Sequence, residues 1–176
     1  MHCTPITKHR LQAGFSLLEM MLATVILLVG LVAVAQLVPA SILLNSRNRT
    51  DSSAMVFAQR ELDQFVDQSL STASFTDALG NNCSLGLASS PNTVQGSPLV
   101  VINNQSVIDF SQGPQPGYSF TYVDPTDPNG TNYDVRWAVI ITGNGLTASS
   151  KRFILGVRDG GDTYFQPVNL DTMVEK

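Results

Sequence analysis

Residues 20–46 contain no Asp, Glu, Lys or Arg, and this uncharged segment restricts the possible folds more than any other feature. Its most apolar part, residues 20–38, is 19 residues long. As an α-helix it would measure about 28 Å, close to the roughly 30 Å hydrocarbon core of a membrane. Lys8 and Arg10 precede it, and positive charge favours the cytoplasmic side. The sequence therefore predicts a single membrane pass with a cytoplasmic N-terminus.

Two general explanations fit such a segment. A secretory signal peptide would be cut after Ala33-Val34-Ala35 and would release a product that begins at Gln36. This explanation places Glu19 in an unusually long N-terminal region, and it does not account for the apolar periodicity beyond the cut. A plain signal anchor would stay in the membrane without cleavage. Both alternatives stay open.

A short motif at the start of the apolar segment supports a third explanation. The motif reads Gly14-Phe15-Ser16-Leu17-Leu18-Glu19. It resembles the processing site of type IV prepilins, in which a Gly is followed by a hydrophobic residue (usually Phe), a short stretch of Ser or Thr and apolar residues, and a Glu. Together with the helix that follows, the resemblance covers about a third of the chain.

The resemblance implies how the N-terminus is processed and used. Residues 1–14 would be a leader, and a prepilin peptidase/methyltransferase would cut between Gly14 and Phe15 and methylate the new amine of Phe15. The cytoplasmic cut would leave the apolar helix in the membrane. An ionised carboxylate at the edge of an apolar span needs a partner, and the resemblance implies that Glu19 docks on the N-terminal amine of a neighbouring subunit. The alternative is a Glu19 that is hydrated at the headgroup level.

Apolar spacing predicts that the helix extends from residue 15 to about residue 70. Beyond the membrane segment, Met55, Ala58, Leu62 and the pair at 65–66 recur at intervals of three or four residues. Such a stripe indicates a helix that packs one side against another element.

Two residues are expected to break or bend this helix. Pro39 removes one backbone hydrogen bond, and Gly30 is a weak helix former. Pilin helices typically carry a Gly and a Pro in this region, although Gln36 stands where the common major-pilin pattern has its Pro. This departure indicates a minor pilin or a pseudopilin, and the apolar pattern of the helix resembles the PilV-like group.

The second half of the chain predicts a small antiparallel sheet. Residues 71–97 are predicted to be a connecting loop region, and residues 98–176 a β-sheet head with one buried and one wet face. Tyr133 and Trp137 are predicted core residues. Strands are expected at 98–102, 107–110, 118–123, 133–142, 153–157 and 164–168. The predicted fold class is α+β, with a long N-terminal helix packed on a small antiparallel β-sheet head, as in pilins.

Metal and thiol chemistry have little support in the sequence. Asp124, Asp127 and Asn129 are weak calcium candidates because they offer oxygen ligands, but these residue types also cluster in ordinary turns. No cofactor is predicted. Cys3 would leave with the leader, so Cys83 would be a single, partly buried thiol in the mature chain.

Catalysis is not expected. His2 and His9 both lie in the leader, so the mature chain would have no histidine as a general base or metal ligand. Asp159 and Asp162 are the nearest carboxylate pair, but they flank Gly160-Gly161, a sequence typical of a hairpin turn.

Nucleic-acid binding is not expected either. Without the leader, the chain has 8 basic and 14 acidic residues, the wrong balance for a phosphate-binding surface. Arg136, Arg152 and Arg158 are expected to share an exposed sheet face, which forms only a modest basic patch.

These observations predict a structural assembly subunit and not an enzyme. The resemblance implies a minor pilin of a type IV pilus system, held in the inner membrane with a periplasmic head. Its partners would be the prepilin peptidase, other pilins or pseudopilins, and membrane lipid, with no small-molecule substrate. A pseudopilin of type II secretion is the first alternative. A secreted binding module with a removable signal peptide is the second.

Overall fold

The computed structural model describes residues 14–125, 127, 130–145, 147–161 and 167–175. The chain forms two compact units, Met1–Ser46 and Arg47–Lys176, and each is described by itself. Helix α1, Leu17–Val66, begins in the first unit and ends in the second.

The described part of the first unit is almost entirely helical. Among the described residues, α1 is the one helix that is long and apolar enough to cross a membrane, and its most apolar window has none of its residues buried. The polar side chains of Thr24 and Ser41 are satisfied within the helix, because their hydroxyls donate to the carbonyl oxygens of Met20, at 2.9 Å, and Leu37, at 2.8 Å. An uninterrupted helix that satisfies its own polar groups is the form a chain needs inside lipid.

Helix α1 continues through both positions at which the sequence predicted a break. Gly30 and Pro39 lie inside it, so neither residue ends the helix. Proline removes only one backbone hydrogen bond, and the bonds on either side keep the chain helical. A local bend at Pro39 stays a prediction.

The described part of the second unit contains the end of α1 and nine strands. The strands are β1 (Ser74–Thr76), β2 (Asn82–Ser84), β3 (Thr93–Gly96), β4 (Leu99–Ile102), β5 (Gln105–Ile108), β6 (Ser119–Val123), β7 (Asn132–Asn144), β8 (Thr147–Asp159) and β9 (Val168–Glu175). The main antiparallel sheet has the order β3-β7-β8-β9, and β6 also pairs with β7. The pairs β1-β2 and β4-β5 form two small separate sheets. The α+β fold class is confirmed.

The core lies between α1 and the main sheet. The predicted alternation in β7 is confirmed, because Tyr133, Val135, Trp137, Val139 and Ile141 are all buried. The fully buried ring of Phe65 on α1 meets the ring of Trp137 at 5.3 Å between centroids and the ring of Phe153 at 5.6 Å. Such aromatic contacts stabilise the core beyond the area that they bury.

The buried stripe of α1 differs in part from the predicted one. The buried residues of the helix are Ala54, Phe57, Ala58, Glu61, Leu62 and Phe65. Met55 and Val66, which the spacing also placed on the stripe, are 44% and 40% exposed. Spacing alone leaves the centre of a stripe uncertain by about one residue, since a helix repeats every 3.6 residues.

The prediction of one wholly wet sheet face was wrong. The β4-β5 hairpin covers part of that face and buries Ile108 against Ala138 and Ile154. Gly156 allows this close approach, because an added Cβ would lie only 2.9 Å from Ile108 and from the ring of Phe110. The hairpin itself turns at Asn103-Asn104 as predicted, and both residues have positive φ angles.

Several element boundaries also differ from the predictions. Helix α1 ends at Val66 and not near residue 70. Residues 71–97, predicted as a connecting loop, contain β1, β2 and β3, and β3 pairs with β7 in the main sheet. The predicted strand at 164–168 lies mostly outside the described residues, whereas an eight-residue strand, β9, begins at Val168. Strand β3 is stabilised by pairing with a strand more than forty residues later, and a local pattern does not reveal such pairing.

Candidate functional site

The predicted processing site lies just before α1. Gly14, Phe15 and Ser16 precede the helix, whose first backbone bond joins the Met20 N–H to the Ser16 carbonyl oxygen at 3.1 Å. The side chain of Phe15 is 83% exposed, and a Cβ added at Gly14 would meet no atom within 4 Å. The Gly14–Phe15 peptide bond therefore lies outside the helix, just before its first turn.

Glu19 lies in the first turn of α1. A carboxylate at this end of a helix is stabilised by the unpaired N–H groups and by the helix dipole. Ser16 and Glu19 also have the Ser-x-x-Glu spacing of a helix capping box. Docking on the amine of another subunit needs a second chain and stays a prediction.

Asp127, one of the two described carboxylates of the candidate calcium loop, is used in a local turn. Asp127 Oδ2 accepts hydrogen bonds from the N–H and the hydroxyl of Thr131, at 3.3 Å for the N–H. Asn129 lies outside the described residues. Among the described residues there is no group of three or more His, Cys, Asp or Glu side chains placed to hold a metal ion. The loop therefore gains no support as a calcium site.

The three arginines predicted to share an exposed face are each paired with a carboxylate. Arg136 is only 5% exposed and donates to Asp134 at 2.7 and 2.9 Å. Arg158 donates to the same carboxylate at 3.2 Å, and Arg152 pairs with Asp171. The expected basic patch is thus largely neutralised. Arg136 is also buried, on the sheet face that the β4-β5 hairpin partly covers.

Asp159, one of the two carboxylates considered for acid–base chemistry, accepts a hydrogen bond from the Gly161 N–H at 2.8 Å. This contact is typical of a turn. Asp162 lies outside the described residues.

Sequence reasoning missed three charged residues that are buried, namely Asp77, Glu61 and Lys151. Glu61 is 0% and Lys151 is 1% exposed. Both could have been found from their positions. Glu61 follows Ala58 by three residues on the buried stripe of α1, and Lys151 precedes Phe153 by two on the core side of β8.

Glu61 is held beside the β1-β2 hairpin by Gln64. The Gln64 amide donates to Glu61 Oε1 at 3.1 Å, and Gln64 Oε1 accepts from the Ala78 N–H at 2.8 Å. The other oxygen, Glu61 Oε2, is buried and has no hydrogen-bond partner among the described residues. Burial and the nearby Asp77 carboxylate raise the pKa of Glu61 to about 7. An orphaned buried carboxylate oxygen favours the protonated form.

Cys83 is a free thiol and is fully buried, whereas the sequence predicted only partial burial. Burial, together with Asp77 and Glu61, raises its pKa to about 12. Reactivity requires the thiolate, so Cys83 is a packing residue.

The comparisons with known proteins support only the N-terminal part. Residues 9–35 match the family model for the prokaryotic N-terminal methylation motif. This match covers the Gly14–Phe15 bond, Glu19 and most of the apolar part at residues 20–38. Comparisons with curated proteins and with solved structures found no match. Together with the apolar helix α1, the motif supports a type IV prepilin-like protein, a class that is anchored in a membrane and built as a structural subunit.

Proposed function

We propose that this protein is a minor pilin of a type IV pilus system, of the PilV-like group. The observation that carries the proposal is the methylation motif at residues 9–35, which includes the start of an apolar helix long enough to span a membrane. A prepilin peptidase/methyltransferase cuts between Gly14 and Phe15 and methylates Phe15. The mature chain is held in the inner membrane with its N-terminus in the cytoplasm and its head in the periplasm.

Glu19 has the docking role in this proposal. Once the leader is removed, Phe15 carries a cationic amine, and Glu19 lies one helical turn further along the chain. Inside an assembly, the amine of one subunit and the Glu19 of its neighbour neutralise each other, because neither charge is tolerated alone in apolar surroundings. The pair then fixes the axial register between two subunits.

A pseudopilin of type II secretion is the second candidate. The same motif and the same apolar helix serve both machines, so the N-terminal third favours neither. Gln36 stands where the common major-pilin pattern has a proline, and no cysteine follows Cys83. Both features favour a minor subunit over a major one in either system.

The experiment is fractionation in a host that assembles type IV pili. If the proposal holds, the mature chain is found in the inner membrane and, in small amount, in sheared filaments, and its deletion reduces piliation. Normal piliation together with a defect in protein secretion would support the pseudopilin alternative. A mature chain that is found only as a soluble periplasmic protein would contradict both.

A further inference from the structure

Among the described residues, β9 forms a long free edge of the main sheet. This strand is the last in the order β3-β7-β8-β9 and pairs with β8 over all eight of its residues, from Val168 to Glu175. Within the described part of the chain, no backbone hydrogen bond from another segment reaches β9 on its outer side. Every second residue of an edge strand turns its N–H and C=O groups outward. Such a row of groups is a template for another strand.

The two faces of β9 differ in chemistry. Val168, Leu170 and Val174 pack on the margin of the core and are only half-buried, so the apolar layer is not closed at this edge. Asp171, Met173 and Glu175 point to the opposite face and are exposed. A strand that pairs with this edge would therefore need apolar side chains on one face and polar or cationic side chains on the other.

A groove of about 580 Å³ opens at the Glu175 end of the same edge. Leu70, Ala88, Ala148 and Val174 contribute its apolar lining. Val174 belongs both to the groove and to the edge, so the two features are continuous. In recognition by strand addition, main-chain bonds supply affinity and a side-chain pocket of this kind supplies specificity.

The charge of the edge selects its partner. If a second copy paired through β9, its Asp171 and Glu175 would lie opposite or diagonal to the same two acids, and like charges across strands are destabilising. Lys or Arg side chains at those positions would instead be attracted. Asp171 already pairs with Arg152 but is still about half exposed, so it can accept a further cation.

We propose that β9 is a docking edge for an extended strand of a different protein, in which apolar residues alternate with Lys or Arg. The strand adds to the main sheet beside β9, closes the apolar layer at Leu170 and Val174, and places its cationic side chains beside Asp171 and Glu175. One apolar side chain of the strand enters the groove at Leu70. This surface is separate from the N-terminal motif.

The test uses the full chain in detergent and two synthetic peptides. One peptide alternates Val with Lys, and the other alternates Val with Glu. Binding is measured by fluorescence anisotropy, and the site is mapped by hydrogen exchange of the backbone amides. We expect the Val/Lys peptide to bind more tightly and to slow exchange in β9. Equal binding of the two peptides, or protection only outside β9, would overturn the proposal.

Adding positive charge to the exposed face of β9 provides the matched test. Glu175→Lys and Met173→Lys should each weaken binding of the Val/Lys peptide about fivefold, since a cross-strand charge pair contributes up to roughly 1 kcal/mol. Val101→Lys introduces the same charge at an exposed position of β4 and should leave binding unchanged. Equal loss in all three variants would show general electrostatics and would contradict a site at β9.

The oligomeric state separates the proposed partner from a second copy. Sedimentation of the detergent-solubilised chain should give the same protein mass with and without the Val/Lys peptide. A dimer that an excess of the Val/Lys peptide dissociates would assign the edge to self-association and overturn the proposed partner. These measurements do not depend on processing at Phe15, so their failure would leave the pilin proposal untouched.

Discussion

Lys151 donates a hydrogen bond from its buried ammonium to the backbone carbonyl oxygen of Thr72, 2.7 Å away. The same ammonium donates to the Gly86 carbonyl oxygen at 3.0 Å. One side chain of β8 therefore ties together the segment that follows α1 and the segment that follows β2. Burial lowers the pKa of Lys151 from its ordinary value, which reflects the cost of holding a charge there, and the two carbonyl bonds offset part of that cost.

Lys151→Met should destabilise the head by about 3 kcal/mol, because it leaves two buried carbonyl groups without a donor. The free energy of unfolding can be measured by urea titration in detergent, with fluorescence of the buried Trp137 as the signal. Arg152→Met is the matched control. It removes the next cation of the same strand, whose side chain is 44% exposed, and should cost less than about 1 kcal/mol. Equal effects of the two substitutions would contradict the role assigned to Lys151.

Glu61→Gln should stabilise the head above neutral pH and change little at pH 5. The pKa of Glu61 in the folded chain is raised from 4.5 to about 7, so the folded form binds this proton more tightly than the unfolded chain. Its contribution to stability is complete below about pH 4.5 and is lost as the pH rises through about 7. We expect a gain of about 2 kcal/mol for the Gln variant at pH 8.5.

The control for Glu61 is Asp63→Asn, which removes a carboxylate from the exposed side of the same helix. The comparison is a set of urea titrations at pH 5, 7 and 8.5. The Asp63 variant should follow the pH profile of the unchanged protein, whereas the Glu61 variant should have a flatter one. Parallel profiles for Glu61→Gln and the unchanged protein would show that Glu61 does not titrate in this range.

Glu19→Ala should leave cleavage largely intact and reduce the amount of protein in sheared filaments by about tenfold or more. Losing a charge pair in apolar surroundings removes at least roughly 1.4 kcal/mol of docking energy. Asp51→Ala is the control, since it removes an exposed acid from the same helix outside the motif. Normal incorporation of the Glu19 variant, measured by immunoblot of the filament fraction, would exclude the docking role.

Gly14→Leu should block removal of the leader, because a bulky side chain would stand beside the bond that is cut. The uncut chain is larger by 14 residues, and a gel or a mass spectrum resolves this difference. Gly30→Leu is the control, as an added Cβ there meets no atom within 4 Å and the position lies outside the cut site. If Gly14→Leu accumulates as the normal mature product, the chain is cut at a bond other than Gly14–Phe15.

The parts of the fold that follow from local pattern were predictable. The alternation of β7 and β8 identified the buried faces around Trp137 and Phe153, and Asn103-Asn104 identified the hairpin. Both signals depend on neighbours in sequence, namely the two-residue repeat of a strand and the tolerance of Asn for positive φ.

The parts that depend on distant pairing were not predictable. Strand β3 is stabilised by β7, more than forty residues later, and the covering of the second face depends on the contact of Ile108 with Gly156. The burial of Glu61 was not predicted, because charged residues are rarely buried, although its spacing places it on the stripe. For the candidate site, the sequence predicts Gly14, Phe15 and Glu19, and the docking role of Glu19 stays a prediction because it depends on a second chain.

The most direct test of the central claim is the mass of the N-terminal peptide of the protein recovered from membranes of a host with a prepilin peptidase. The pilin proposal predicts a chain that begins at N-methylated Phe15. A chain that begins at Met1 would indicate an uncleaved anchor, and one that begins at Gln36 would indicate a signal peptide. Either of these two results would contradict the proposal.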